Sequence, residues 1–236
     1  MEKKNEFKIV RILMTIAIVI LISVFIWQMA PLIMKLSTPE GRIYFKHKIN
    51  QMGFTGVMML VGLQVLQILL VILPGEPVEV LAGMCYGVWG GYLFITISVL
   101  ITNIIIFFTV RKLGKKYLYN FFQKEKVDKI MKSKLFKKSR NIELVLFMIF
   151  FLPGTPKDLF VYIGGLLPVK PVRFILIATL ARFPSVITST MVGAHISNGN
   201  WKTSLVIYAV TFVVAVILIY LVNLKDKDKE FIEIMK

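Results

Sequence analysis

Two short stretches of the chain, LPGEPVE at residues 73–79 and LPGTPKD at residues 152–158, repeat one pattern of proline, glycine and acid. The second copy begins 79 positions after the first (152 − 73), and together they hold four of the nine prolines. Proline lacks a backbone donor and ends a helix. Such breaks occur at membrane depth only where protein or a wet cavity covers them. A duplicated break inside apolar sequence therefore indicates a transporter site.

The composition is that of a polytopic membrane protein, because 57% of the 236 residues are hydrophobic. Uncharged runs cover residues 12–30, 54–75, 80–110 and 203–224, and about 20 apolar residues cross a bilayer. The run at 12–30 follows lysines and lacks a small-residue cleavage site, which predicts an uncleaved signal-anchor helix. The single cysteine excludes an internal disulfide and a thiolate metal site.

The net charge of +16 is concentrated in one loop. Residues 111–141 contain 12 lysines and arginines against Glu125 and Asp128, a net charge of +10 (12 − 2). Basic loops beside membrane helices stay in the cytoplasm and contact anionic headgroups. Nucleic-acid binding is not expected, since no base-reading motif accompanies the charge. We therefore predict a cell-membrane protein whose N-terminus, 111–141 loop and C-terminal tail are cytoplasmic.

With that orientation, the two broken regions predict re-entrant hairpins. Residues 54–87 would enter from outside and return, and residues 143–167 would do the same from the cytoplasm. The apolar arm at 144–152 has only nine residues (152 − 143), too few to span. The expected turns are at Pro74, Gly75 and Pro77, and at Pro153, Gly154 and Pro156. Helices near 88–110, 172–194 and 203–224 are expected to cross fully.

The predicted fold is an all-α polytopic membrane protein: an inverted repeat with two opposed re-entrant helical hairpins plus transmembrane helices. The predicted domains are a signal-anchor and interfacial helix at 1–53, a membrane domain at 54–224 and a tail at 225–236. Four lysines and arginines between residues 35 and 48 would lie outside. We interpret them as belonging to an interfacial helix at 39–52.

Glu79 and Asp158 occupy equivalent positions in the two repeated motifs. A carboxylate at membrane depth is costly and by default indicates function. Here it could cycle a proton, since burial favours the neutral acid, or contact a headgroup. The alternative is that each carboxylate caps its hairpin helix. Lys157, next to Asp158, could neutralise it.

Two arginines are candidates for the same substrate or proton path. Arg182 lies inside an apolar run and requires an anionic partner there. That partner is expected to be Glu79, Asp158 or a lipid phosphate. Arg111 follows a predicted membrane helix. It either reaches the interface as a flanking arginine or holds a headgroup phosphate in bidentate fashion.

In combination these motifs resemble the VTT-domain family, also called the DedA or SNARE-associated Golgi protein family. The resemblance covers roughly residues 60–220. It rests on P-x-x-P-x-E at 74–79 with Ala82-Gly83 and Tyr86-Gly87, F-x-x-x-R-x-x-G at 107–114, P-x-x-P-x-D at 153–158 with Gly164-Gly165-Leu166, and Pro184 with Gly193. It implies lipid transport between leaflets, by a scramblase or a proton-linked flippase of phospholipid or polyprenyl phosphate.

Other functions stay open. The same carboxylates would serve a proton-coupled transporter of small solutes or ions, and a membrane scaffold would use the broken helices only as structure. An enzyme is not expected, because the sequence shows no nucleotide loop, nucleophile triad or zinc-ligand spacing. No cofactor or metal is predicted, and His47 and His195 are far apart in the sequence. The expected partners are membrane lipids, and a homo-oligomer is possible.

Overall fold

The structure is a computed structural model that describes residues 38–70, 75–133, 136, 139–152 and 155–225. Several predictions fall outside these residues: the signal-anchor helix at 12–30, the turn residues Pro74, Pro153 and Gly154, and nearly all of the tail at 225–236. Where the chain is described, it is entirely α-helical and contains no strand. The predicted all-α class is therefore confirmed.

The helices are, in chain order, α1 (Pro39–Gln51), α2 (Phe54–Leu70), α3 (Glu76–Leu113), α4 (Lys115–Leu118), α5 (Lys124–Lys132), α6 (Ser139–Phe151), α7 (Lys157–Gly164), α8 (Pro171–Leu180), α9 (Phe183–Ser197) and α10 (Trp201–Lys225). The chain divides into two compact units, residues 1–48 and 49–236. In the first unit, Pro39 begins α1, where a missing N–H costs nothing. Thr38 caps this helix by accepting the Gly41 N–H at 3.1 Å.

Three stretches are long and apolar enough to cross a membrane: Glu76–Leu113, Pro171–Ser197 and Trp201–Tyr220. They correspond to the three helices that were expected to cross fully, near 88–110, 172–194 and 203–224. Two shorter apolar helices, Phe54–Ile68 and Ile142–Phe151, precede the two repeated motifs. The second of these is well below the roughly 20 residues that a crossing requires. The chain therefore has the helices of a membrane protein.

The helix α3 is not one straight rod. Gly87 has φ 74° and ψ −175°, a conformation that glycine tolerates, and it separates residues 76–86 from 88–113. A Cβ on Gly91 would lie 2.9 Å from the carbonyl carbon of Ala82. Nine residues of continuous helix would instead separate these positions by about 13.5 Å. The backbone therefore folds back at Gly87, and the short first leg packs against the second.

The single helix predicted at 172–194 is two helices, α8 and α9, which meet at Ala181 and Arg182. Pro184 has no N–H to donate to the carbonyl of Leu180, so the helical hydrogen bonding is interrupted there. Ala181 and Arg182 nevertheless keep helical dihedral angles. Arg182 therefore lies in the short turn between α8 and α9, at the position before the first residue of α9, and its side chain makes no capping hydrogen bond there.

The backbones of α3 and α9 approach closely at two glycines. A Cβ on Gly83 would lie 2.2 Å from the carbonyl oxygen of Thr190, and one on Gly193 would lie 2.0 Å from that of Val80. Because the order of the partners reverses along the two helices, the first leg of α3 (residues 76–86) runs antiparallel to α9. Small residues allow membrane helices to pack this closely, and the first turns of α3 are thereby held against α9.

Candidate functional site

Polar side chains are buried among the apolar helices of residues 49–236. They include Gln64 and Gln67 on α2, Glu79 on α3, Ser189 and Thr190 on α9, and Arg182 at the start of α9. A buried amide or charge is costly unless it is hydrogen-bonded or paired. The contacts of these residues therefore decide what the region can do.

Arg182 pairs with Asp158, the second residue of α7. The guanidinium Nη2 donates to Oδ1 of the carboxylate at 2.9 Å, and the two side chains are only 7% and 19% exposed. The guanidinium carbon also lies 5.5 Å from the centre of the Phe150 ring, within the range of cation–π attraction. The predicted anionic partner of Arg182 is therefore present, and it is Asp158.

Two glutamines extend this pair to α2. The Gln67 amide donates to Oδ2 of Asp158 at 3.0 Å, and the Gln64 amide donates to Oε1 of Gln67 at 3.2 Å. Asp158 thus accepts on both oxygens from side chains of other helices. Within the described contacts, neither oxygen accepts a backbone N–H of α7. Asp158 is therefore a charged centre that joins α7 to α2 and to the start of α9.

Lys157 points to α9 although it precedes Asp158 in the sequence. Its ammonium donates to the Ser185 hydroxyl at 2.6 Å, and that hydroxyl donates to the Arg182 carbonyl at 3.0 Å. The positive charge of Lys157 also attracts the carboxylates of Asp158 and Glu79 electrostatically. Lys157 therefore ties α7 to the start of α9, beside the ion pair.

Glu79 lies in the first turn of α3 and is 8% exposed. Its Oε2 atom has no hydrogen-bond partner among the residues that the structure describes. The Ser189 hydroxyl lies beside the carboxylate, and Lys157 and Arg182 are the cations that act on it. Glu79 and Asp158 therefore share two neighbouring cations, but only Asp158 forms the ion pair with Arg182.

Arg111 binds backbone carbonyls. Its Nη2 donates to Leu167 at 2.8 Å, its Nη1 donates to Val169 at 3.2 Å, and the guanidinium carbon lies 4.8 Å from the Phe107 ring centre. Arg111 thus fastens the connection between α7 and α8 to the end of α3. Among the residues that the structure describes, Arg111 and Arg182 bind different partners, so the structure does not bring these two predicted site residues to one anion.

Four residues of this region were missing from the predicted site: Gln64, Gln67, Ser185 and Ser189. The glutamines are three positions apart (67 − 64) and the serines four apart (189 − 185). Residues at these spacings lie on one face of a helix. Two amides on one face of an apolar helix are a signal for buried hydrogen bonding, and this signal could have identified Gln64 and Gln67.

A model of the VTT domain matches residues 73–195, which are 123 of the 236 residues (195 − 72). The chain belongs to the VTT-domain family. This is the domain of the DedA/SNARE-associated family, so the resemblance inferred from the motifs is confirmed. Comparisons with curated proteins and with solved structures find no match.

The VTT match contains Glu79, Asp158, Arg182 and Arg111 but not Gln67. The hydrogen bond from Gln67 to Asp158 therefore joins the VTT domain to the helix before it. Among the described residues, no group of three or more His, Cys, Asp and Glu side chains is arranged to hold a metal ion.

Proposed function

We propose that this VTT-domain protein transports lipid across the bilayer, as a scramblase or as a proton-linked flippase of phospholipid or polyprenyl phosphate. The proposal rests on the buried network of Gln64, Gln67, Asp158 and Arg182, with Glu79 beside it. Ionisable groups inside apolar membrane helices are expensive and mark substrate or ion pathways. A headgroup that crosses hydrocarbon needs polar contacts of this kind.

In this proposal the network lies between two opposed re-entrant hairpins of an inverted repeat. One hairpin would comprise α2 and residues 76–86, and the other would comprise α6 and α7. The reversal at Gly87 supports the first. The second is supported by the lengths of α6 and α7, 13 and 8 residues, which are below the roughly 20 needed to cross. Glu79 and Asp158 would then approach the midplane from opposite sides.

Asp158 and Arg182 would act as an exchangeable pair. A headgroup phosphate offers the guanidinium the same planar, bidentate contact as a carboxylate. A lipid in transit would therefore replace Asp158 as the partner of Arg182, while Gln67 keeps its hydrogen bond to Asp158. These steps make and break no covalent bond, so we propose a transporter that is not an enzyme and needs no cofactor.

A proton-coupled transporter of small solutes or ions is the second candidate. The observation in its favour is Glu79, a buried carboxylate with an unpartnered oxygen in the described structure. Buried acids of this kind carry protons in membrane transporters. Such a protein would require no path that is open to the bilayer.

We propose that the N-terminus, residues 111–141 and the tail are cytoplasmic in a cell-membrane protein, with membrane lipids as partners, no nucleic acid, and a homo-oligomer as a possible assembly. A cysteine placed at Ser133, in a Cys85→Ser background, should then resist an impermeant thiol reagent in intact cells. It should react after the cells are permeabilised. Ready labelling of intact cells would reverse the orientation.

The test of function is reconstitution of the purified protein into liposomes that contain fluorescent lipids with several headgroups. Transport is measured as the growth of the lipid fraction that an impermeant quencher reaches from outside. Arg182→Gln should be inactive, whereas Arg173→Gln, on the same membrane-length stretch, should transport normally. If no headgroup moves, lipid transport is refuted. Dissipation of an imposed pH gradient without lipid movement would support the second candidate.

A further inference from the structure

A second charged feature lies outside the buried network, at residues 111–133, which we name the basic platform. It contains eight lysines and arginines against Glu125 and Asp128, a net charge of +6 (8 − 2). Its exposed lysines are Lys112, Lys115, Lys116, Lys124, Lys129 and Lys132. The charge is therefore presented on a surface and is not absorbed in the interior.

The basic platform is a packed structure. Val127 and Ile130 of α5 are buried, so this helix is fixed along one side. The rings of Phe121 and Phe122 lie 5.7 Å and 5.4 Å from the ring of Tyr162, in α7. Apolar and aromatic contacts thus hold the lysines in place against the helix that carries Asp158.

One of the two acids is already engaged inside the basic platform. Asp128 accepts a hydrogen bond from the Tyr119 hydroxyl at 2.9 Å and lies 3.9 Å from the Lys115 ammonium. Glu125 is the only other acid in residues 111–133. Most of the positive charge is therefore not balanced by acids of the same segment, and it favours an external anion.

Exposed apolar side chains accompany the lysines. Leu113 and Phe121 are 53% and 48% exposed, and the basic platform follows directly after α3, a helix of membrane-crossing length. Lysines mixed with exposed aromatic and aliphatic side chains are typical of surfaces that lie in the membrane interface. A surface of this kind meets lipid headgroups, and its charge is complementary to anionic ones.

We propose that the basic platform binds the phosphate groups of anionic phospholipids in the leaflet at the end of α3. The inference deepens the proposed function and rests on it only for the membrane setting of the chain. Tyr162, which packs on the platform, and Asp158, which pairs with Arg182, belong to the same short helix, α7. Anionic phospholipid bound by the basic platform is therefore concentrated beside the helix that also carries part of the buried network. It is the class of lipid that the proposed transport path receives from this side of the membrane.

The experiment measures lipid enrichment around the full-length protein in liposomes of low ionic strength. A donor fluorophore is attached to a cysteine at Asn120, in a Cys85→Ser background, and the acceptor is carried by phosphatidylglycerol or by phosphatidylcholine. We expect stronger energy transfer to phosphatidylglycerol, decreasing as salt is added. The double variant Lys116→Gln/Lys124→Gln should weaken the preference for phosphatidylglycerol over phosphatidylcholine. The loss should be at most about fivefold for each lysine that is removed.

The matched control is Lys48→Gln with Lys202→Gln, which removes the same charge from exposed positions outside the basic platform and should leave the preference unchanged. Equal energy transfer to phosphatidylglycerol and phosphatidylcholine would overturn the proposal. So would a control variant that loses the preference as much as the basic-platform variant does. Inorganic phosphate should compete no better than chloride at the same ionic strength. Specific competition would identify a free-phosphate site and also overturn it. Asp158→Asn should keep the enrichment even without transport, so the two proposals fail separately.

Discussion

Two arginine–carboxylate pairs involve the membrane-length stretch Pro171–Ser197, and they differ mainly in their surroundings. Arg173 lies 3.2 Å from Glu143, with side chains 60% and 37% exposed. Arg182 lies 2.9 Å from Asp158, with side chains 7% and 19% exposed. The side chains of the first pair lie largely exposed on the protein surface. Other residues of the protein cover most of the second pair.

The comparison shows that burial, and not the type of residue, distinguishes the two pairs. An exposed ion pair contributes about 0–1 kcal/mol in double-mutant measurements. Removal of one partner from a buried pair costs about 3–5 kcal/mol, because the other charge is left uncompensated. The buried pair is therefore the one at which a substitution should be felt most, and it is the pair that the proposed transport uses.

Arg182→Gln should have the largest effect in the protein. It leaves Asp158 buried without its cation, so the stability should fall by about 3–5 kcal/mol, measured by unfolding of the detergent-purified protein. Arg182→Lys should be intermediate, because it keeps the charge and loses the planar fork. An Arg182→Gln protein as stable and active as the wild type would remove the distinction between the pairs.

Asp158→Asn and Glu79→Gln should each abolish transport in liposomes while the proteins still express and insert. Each change keeps the shape of the side chain and removes its charge. Glu143→Gln is the matched control and should transport normally, since its carboxylate belongs to the exposed pair. Normal transport by either buried variant would assign that carboxylate to structure.

A double-mutant cycle should separate the pairs by their coupling. Asp158→Asn combined with Arg182→Gln should be less destabilising than the sum of the single changes, by about 0.5–3 kcal/mol, because the residues are in direct contact. The same cycle on Glu143 and Arg173 should give a smaller coupling energy, about 0–1 kcal/mol, because the side chains of that pair are exposed. Equal coupling energies from the two cycles would contradict the comparison.

Gln67→Leu should destabilise the protein by about 1–3 kcal/mol, because Oδ2 of Asp158 loses its donor while it remains partly buried. Gln64→Leu should cost less, since Gln64 reaches Asp158 only through Gln67. Thermal unfolding of the two variants checks the order. The reverse order would show that Gln67 does not support the ion pair.

Arg173→Gln should have the smallest effect, below about 1 kcal/mol, because both partners of its pair are exposed. Added salt should reduce even this difference, since dissolved ions screen exposed charges. The unfolding temperatures of the wild type and of this variant, compared at low and high salt, provide the measurement. A large loss that salt does not change would place Arg173 with the buried pair.

Local pattern was sufficient for a large part of this protein. Hydrophobic runs predicted an all-helical membrane protein, because a bilayer-crossing helix needs a long uncharged stretch and few other sequences have one. The repeated Pro-Gly motifs predicted where the apolar regions break and which carboxylates follow. Arg182 was expected to need an anion from its position alone, since the cost of a bare charge in hydrocarbon does not depend on the identity of the partner.

Only the folded chain selects that partner. Asp158 is 24 positions from Arg182 and 91 from Gln67, and neither Glu79 nor Asp158 is favoured by hydropathy or spacing. The reversal at Gly87 and the glycine contacts between α3 and α9 position the helices that carry these side chains. Arg111 is a second example, because its sequence position indicates only an arginine at the end of a membrane helix. The packing of α8 against α3 brings two backbone carbonyls to its guanidinium. Pairing depends on distances between segments far apart in sequence, which local preferences do not determine.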